Sequence, residues 1–512
     1  MPNLFRAFAQ SAHGNAARTA LRDDGRNRTY TDLHGEARQA GRALLAMGIG
    51  KGDRVAIWAV NHAEWVIAAL GIQAVGAVLV LIGTRLKGAE ASDILQRSGA
   101  CALFMDASVA GYNLPDSIAG YELPELRQRI EFGSGWRAFM ATGDAVSEEA
   151  LDQNIAAITA DDTADIIFTS GTTGKPKGVP MTHAQSLTAC AQQQACVTQF
   201  IAGETFAVFY PFAHNAGYRA GWQAGLLNGA RIIPVRDYNP GAILDLIERE
   251  RVAVLPMVPT LFQSLLDDPS LPHRDLSSLR FAGTGAATIP VQLITRMRTE
   301  LGSCLVSTGY GLTEAAGSVS NTRPGDSDEV IATTTGLPLD NLEVRILDAE
   351  HREVPAGTPG EIAVRGFQVM RGYYQDAEAS AKAFTRDGFL LTGDVGLFTP
   401  QGHLRITDRL KDMYLCGGFN CYPAEIEAIL RGNEAVAEVA VVGMDDDRLE
   451  QVGRAFITAR PGYRLTEAAM IAWSRDHMAN YKVPRSVVVV DALPLNGTGK
   501  VDKVQLRNWS QA

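Results

Sequence analysis

Ile166-Ile167-Phe168-Thr169-Ser170-Gly171-Thr172-Thr173-Gly174-Lys175-Pro176-Lys177-Gly178-Val179 is the stretch on which the reading of this chain turns. An apolar strand runs into residues that are almost all Gly, Ser, Thr or Lys. Glycines let a backbone approach closely and expose its N–H groups, hydroxyls add donors, and lysines add charge, so such a loop can cradle phosphates. It is not a Walker A loop, because Pro176 stands where a Ser or Thr would ligate magnesium. Gly283-Thr284-Gly285-Ala286-Ala287-Thr288 also fails as a dinucleotide fingerprint, since its third glycine is missing.

Outward from this loop, β-rich apolar runs recur at 54–60, 77–82, 101–106, 164–170, 205–211, 230–235, 252–258 and 279–285, with helical spacing at 240–251 and 290–301. Near-continuous apolar strands alternating with helices predict an α/β fold built on largely parallel sheets. After about residue 335, short strands separated by turn signals predict an antiparallel, β-barrel-like subdomain. From 408 onward a helix at 423–431, strands at 436–443, 454–460 and 486–491, and a helix at 466–480 predict a smaller α+β domain. With 512 residues, a single core is too large. The expected fold is therefore α/β: a large N-terminal domain of layered sheets and helices over 1–407, and a small, mobile α+β C-terminal domain over 408–512.

Trp65 to Gly83 carries no charge and is long enough to span a membrane. Gln73 and the change from Ala/Leu-rich to β-rich character at Gly76 predict instead a buried helix followed by a buried strand. The net charge of −10 removes the electrostatic footprint of nucleic-acid binding. Six cysteines without a C-x-x-C pair, and no secretory signal at the N-terminus, predict a cytoplasmic protein with free thiols.

The loop at 169–179 resembles the signature of the adenylate-forming superfamily of acyl-CoA synthetases, adenylation domains and luciferases. Further motifs follow in that family's order: Pro211-Phe212-Ala213-His214, Tyr310-Gly311-Leu312-Thr313-Glu314, Leu391-Thr392-Gly393-Asp394, Asp408-Arg409-Leu410-Lys411-Asp412, Gly417-Gly418-Phe419-Asn420, Tyr422-Pro423-Ala424-Glu425 and Asn496-Gly497-Thr498-Gly499-Lys500. The likeness covers essentially the whole chain. It departs at Asp408, where many relatives have Gly, and at Lys503, where many have Arg.

The resemblance implies an AMP-forming acyl-CoA ligase that joins a carboxylic acid to ATP, releases pyrophosphate, and passes the acyl group to CoA, with ATP, magnesium and CoA as its cofactors and co-substrates. Two anions must meet, at a cost of about 4 kcal/mol for a unit pair about 4 Å apart at an effective dielectric of ~20. By resemblance Lys500 supplies the cation there, Glu314 holds magnesium, Thr313 donates to the α-phosphate, and His214 guards the acyl pocket. The ATP and AMP site implied comprises Thr169, Ser170, Gly171, Thr172, Thr173, Gly174, Lys175, Lys177, Gly285, Ala286, Ala287, Tyr310, Gly311, Asp394 and Arg409. Tyr310 would stack on adenine and Asp394 would accept from the ribose hydroxyls. Lys411 matches the hinge, and Gly417, Gly418 and Phe419 the CoA tunnel.

Stretches 284–290, 406–427 and 447–457 are similar to bacterial CoA ligases acting on the propanoate side chain of steroid-ring degradation intermediates. A cyclic, steroid-derived or medium-to-long-chain acid is the substrate class implied, and small residues near 213–219, 283–285 and 307–318 leave room for a bulky acid. Two alternatives stay open: a stand-alone adenylation enzyme loading a carrier protein in trans, and a non-catalytic scaffold. Expected partners are the acid, ATP and CoA, with no nucleic acid and no membrane span; a homodimer is carried as an open expectation without a residue signal.

Overall fold

The computed structural model describes residues 1–169, 176–285, 289–302, 304–409, 412–416, 419–446, 448–478, 480–496 and 500–509, with the backbone alone at 408, 409, 415, 419, 420 and 450. The chain divides into two compact units, one of residues 1–343 and 364–390, the other of 344–363 and 391–512.

The larger unit carries two sheets whose strands are those expected from the apolar runs. In the nine-stranded sheet, Thr205–Val208, Val252–Pro256, Phe281–Gly285 and Leu305–Leu312 are parallel neighbours, with Arg231–Pro234 and Thr19–Asp23 continuing on the other side. Gly317–Asn321 returns antiparallel beside Leu305–Leu312. The six-stranded sheet holds Arg54–Trp58 at its centre, parallel to Val78–Leu81 and Ala102–Met105, and ends on the antiparallel pair Thr163–Thr169 and Lys177–Thr182.

The uncharged stretch from Trp65 onward divides as its composition predicts, into a helix, Ala63–Ala74, and a strand, Val78–Leu81. Gly76, in the left-handed region at φ 71°, makes the turn between them. Almost every residue of the helix is buried, as befits a helix that is apolar all round. It shares one core with apolar residues of both sheets, among them Ile57, Leu79, Phe206 and Val254. A Cβ at Gly71 would lie 2.7 Å from the Ala40 Cβ, so its missing side chain is what lets this helix pack on Tyr30–Ala46. Among the described residues no helix is long and apolar enough to cross a membrane.

In the smaller unit, Val436–Asp446 and Glu450–Ala459 form a long antiparallel hairpin, and Ser486–Val489 adds in parallel. Helices Pro423–Leu430 and Glu467–His477 cover it through Ile426, Leu430 and Met470. Glu427 is buried and triply held: Oε1 accepts Val441 N at 2.8 Å and meets Lys503 Nζ at 2.7 Å, and Oε2 lies 3.6 Å from Arg431. Lys503, one of the departures from the family pattern, thus closes a buried ion pair. The turn-rich segment after 335 forms a four-stranded sheet in sequence order, from Leu342–Leu347 through Gly360–Gly366 and Leu390–Phe398 to Leu404–Arg409.

Two stability predictions arise from buried polar groups. His183 is fully buried, with Nδ1 accepting Leu4 N at 3.3 Å, and burial pushes its pKa down to about 4. Its unfolded value is about 6.5, so this contribution is complete above that pH and is lost as pH falls through about 4, amounting to about 3 kcal/mol at the acid end. Thermal melts of His183→Gln between those limits should show a flatter pH profile than the wild type. Asp165 and Arg219 form an ion pair with both side chains buried. Arg219→Met strands the carboxylate and should cost about 3–5 kcal/mol, while Asp165→Leu combined with Arg219→Met recovers much of the loss; the first denaturant-unfolding transition measures both.

Candidate active site

Thr169 and Lys177 face each other as the last pair of the antiparallel hairpin. Of the expected phosphate-loop residues, Ser170, Gly171, Thr172, Thr173, Gly174 and Lys175 lie outside the described residues, as do Ala286, Ala287, Lys411, Gly417 and Gly418. Arg97 anchors the far end of the loop by donating to the Pro176 carbonyl, and its guanidinium sits 5.5 Å from the Phe168 ring centre.

Glu314 reaches the same hairpin from a different sheet. It lies in a short turn of helix, Thr313–Ala315, that directly follows the strand Leu305–Leu312. The Thr169 hydroxyl stands 3.5 Å from Glu314 Oε1, and the Tyr373 hydroxyl donates to the same oxygen at 3.2 Å. Burial, and next the Glu314 carboxylate itself, pushes the Tyr373 phenol far above its ordinary range, so it remains a protonated donor. Lys177 Nζ lies 4.8 Å above the Tyr373 ring. Tyr373 thereby contacts both the Lys177 cation and the Glu314 carboxylate.

Tyr373 is a residue that the sequence reading missed. It belongs to the irregular segment 366–374, which carries no period and no glycine signature. The segment is nevertheless firmly tied down. Met370 N donates to Glu314 O at 2.8 Å, Tyr374 N to Gly178 O at 2.8 Å, and Gln368 Nε2 to Ala315 O and Ser318 O at 3.0 Å each.

The glycines near the nucleotide residues serve the backbone. Gly285 has φ +157°, and its parallel partner is Gly309. A Cβ on Gly309 would fall 2.3 Å from Asn321 Oδ1, and one on Gly311 2.1 Å from Gly317 O. Here Tyr310 is half-buried and pairs with Ser320 across the sheet.

His214 caps a short turn that follows the strand Thr205–Val208, and its imidazole is exposed. Nδ1 accepts Ala216 N at 3.2 Å, which leaves the proton of the neutral ring on Nε2. Asn61 sets the approach: Oδ1 accepts Phe212 N at 2.8 Å and Nδ2 donates to Tyr210 O at 3.0 Å. Five residues on, Arg219 is buried in the π-helical segment Tyr218–Gln223. It pairs with Asp165, four residues before Thr169, and donates to Ser186 Oγ at 3.0 Å and to Asn215 Oδ1 at 2.6 Å. Cys190 Sγ lies 3.5 Å from the Arg219 carbonyl, and burial pushes that thiol up to about 12. Between these elements and Gly317–Asn321 lies a narrow recess lined by Ala189, Gln193, Arg219, Ala220, Ala316 and Ser318 among others.

In the smaller unit, Asp394 is buried and pairs in register with Arg409 across the sheet. Its amide donates to Thr392 Oγ1 at 3.2 Å, and Gly393 N to Glu361 Oε1 at 2.9 Å. Lys500 is exposed beside the Leu495–Val501 bridge, with Asn496 N donating to Lys500 O at 2.7 Å. Arg409 and Phe419 are strand residues of this unit.

The donors around Glu314 are one carboxylate and neutral hydroxyls, all hard oxygen. No group of three or more His, Cys, Asp or Glu side chains suited to a metal occurs among the described residues. Such a set fits magnesium, which keeps waters and takes phosphate oxygens beside one or two carboxylates, and would not serve a metal needing an all-protein cage.

Comparison with known proteins identifies the family. The profile of the AMP-binding enzyme family matches residues 8–374, and that of the AMP-binding enzyme C-terminal domain matches 425–500. The 3-(7a-methyl-1,5-dioxo-octahydro-1H-inden-4-yl)propanoyl:CoA ligase of Mycobacterium tuberculosis is 47% identical over 494 residues, 96% of this chain and 95% of that one. The ligase of the same name from Rhodococcus jostii is 41% identical over 513 residues, 98% and 97% of the two chains. Crystalline ATP-bound MatB from Rhodopseudomonas palustris superposes with a TM-score of 0.88 at 26% identity, over 99% of each chain. The chain belongs to the AMP-binding enzyme family and is an AMP-forming acyl-CoA ligase.

Proposed function

We propose that this ligase activates the propanoate side chain of a steroid-derived, cyclic keto acid. The observation that carries the reading is that two relatives at 47% and 41% identity, each aligned over nearly its whole length, are named for one such acid. The narrow recess between Ala189, Arg219 and Ser318 supports it: alanines at 189, 220 and 316 keep it open, and Gln193 and Ser318 make its wall partly polar.

In the first half-reaction a carboxylate oxygen attacks the α-phosphorus of ATP, and pyrophosphate leaves with the electron pair of the broken bond. Lys500 is assigned the cation that offsets the repulsion between the two anions as this bond forms. Thr169, Lys177 and the hydroxyl-rich residues 170–174 are assigned to the phosphates, with Thr313 donating to the α-phosphate. Tyr310 is assigned to adenine, where stacking contributes about 1–3 kcal/mol. Asp394 is assigned to the ribose hydroxyls and Arg409 to a further nucleotide contact. Glu314 would hold magnesium, whose part when bound is to neutralise phosphate charge, while Tyr373 keeps that carboxylate oriented by its hydrogen bond.

In the second half-reaction the thiol of CoA attacks the acyl carbon and AMP departs. His214 is assigned the gate between acyl pocket and thiol, with its Nε2–H facing away from the backbone amide that fixes Nδ1. Residues 408–512 are proposed as the smaller domain that brings Lys500 to one step and Gly417, Gly418 and Phe419 to the other, with Lys411 as hinge.

Two measurements test this. In a panel of carboxylic acids scored by AMP release with CoA present, the bicyclic keto propanoate should give the highest kcat/KM; preference for simple fatty or aromatic acids would refute the substrate reading. Lys500→Ala should lower acid-dependent pyrophosphate exchange by about 100-fold or more while sparing CoA transfer from a preformed acyl-adenylate. Unchanged exchange in that variant would remove Lys500 from the adenylation step.

A further inference from the structure

Gln193 stands out among the buried polar side chains of the larger unit. Only 8% of its surface is exposed, and it lines the recess between the helix His183–Gln192, the segment Tyr218–Gln223 and the strand Gly317–Asn321. Its carbonyl end is fixed, because the Ser318 hydroxyl donates to Oε1 at 3.3 Å. The amide nitrogen makes no hydrogen bond to another described residue, and unlike Gln223 Nε2 it is not one of the nitrogens sealed from solvent without a partner. Water can satisfy this donor until a ligand fills the recess and displaces it, after which an unpaired N–H there would be costly.

The neighbours do not compete for that role. Arg219 directs its donors to Asp165, Ser186 and Asn215. Gln368 is consumed on both ends: Nε2 donates to two backbone carbonyls, and Oε1 accepts Asn341 Nδ2 at 2.9 Å. The remaining wall contributes Ala189, Ala220, Ala316 and Leu339, which offer no hydrogen bond. The backbone also changes at this place. Gln193 begins a π-helical segment, Gln193–Thr198, and Arg219 and Ala220 lie in a second one across the recess. Inserted π turns of this kind recur where a helix must present a side chain to a ligand.

We infer that Gln193, held by Ser318, is a specificity-determining residue whose amide N–H donates to an oxygen on the acyl group remote from its carboxylate, so that the ligase selects oxo-substituted ring acids over hydrocarbon ones. The inference rests on the reading that this recess takes the acyl group. Its physical basis is asymmetric. An acid with a ketone at this position satisfies both partners, whereas a hydrocarbon acid covers the amide, leaves it unpaired and gains nothing in exchange.

The test compares 3-(7a-methyl-1,5-dioxo-octahydro-1H-inden-4-yl)propanoate, the acid for which two relatives are named, with the analogue in which both ring carbonyls are replaced by methylene. For the wild-type protein, kcat/KM for the dioxo acid should exceed that for the analogue by about 10-fold or more. Gln193→Met, close in length but without a donor, should bring the ratio near one by lowering the dioxo value. Ser318→Ala, which frees the amide to rotate, should lower the ratio part of the way. A ratio unchanged in Gln193→Met, or an equal loss on both acids, would overturn the assignment, because an amide serving only the fold affects both alike. Wild-type protein inert toward both acids would refute the steroid-acid reading of the substrate instead. The Gln193 assignment is then decided by the same ratio for an oxo acid and its methylene counterpart drawn from the acids that the enzyme does activate.

Discussion

A carboxylate and a guanidinium removed from water together hold the catalytic half of this molecule in register. Asp165 sits in an apolar strand where an unpaired charge would be prohibitive, and Arg219 answers it from a helix 54 residues away in sequence. Because the pair is buried, neither partner can shift without exposing the other to an apolar surround. The strand bearing Asp165 runs four residues further to Thr169, and the chain before Arg219 passes through Asn215 to His214. The end of the loop proposed for the phosphates and the proposed acyl gate are thus referenced to one point, and Asn215 and Ser186 satisfy the remaining donors and acceptors there.

Much of the architecture was legible in the residues. The eight apolar runs emerged as strands because fully buried parallel strands need no alternation, and the helix at Ala63–Ala74 was separable from Val78–Leu81 by a change of composition at a glycine that then takes a left-handed turn. Residue types in the loops also suggested which segments could bear on phosphates. What stayed hidden was long-range pairing. Asp165 lies inside an otherwise apolar strand, and a charge in such a run demands a buried partner, but no local pattern identifies Arg219. Tyr373 and Gln193 come from an irregular segment and from the end of a helix, where no period marks a side chain as inward. The units also divide discontinuously: 344–363 associates with 391–512 through sheet pairing, which contiguous reading along the chain does not disclose.

The glycine-rich stretches invite a different interpretation once neighbours are known. Small residues at 307–318 read as room for a bulky acid, yet Gly309 and Gly311 are small because a strand lies where their side chains would go. The open space of the proposed acyl recess comes from alanines on the facing helices and on the turn after Glu314. Shape at this site is therefore set by two helices and one strand together, so substitutions that alter acid preference belong on Ala189, Ala220 and Ala316 more than on the conspicuous glycines.

Cys190 acquires a meaning from this setting. Adenylation produces a mixed anhydride that any thiolate would attack, and the second half-reaction depends on a thiol doing so. Cys190 adjoins Ala189 on the wall of the recess, with its pKa pushed up to about 12 by burial. At neutral pH about one such thiol in 10⁵ is ionised. With the acyl group in the proposed recess, an activated acid would sit within a few residues of this sulfur without acylating it, and the intermediate would wait for the thiol that arrives from outside.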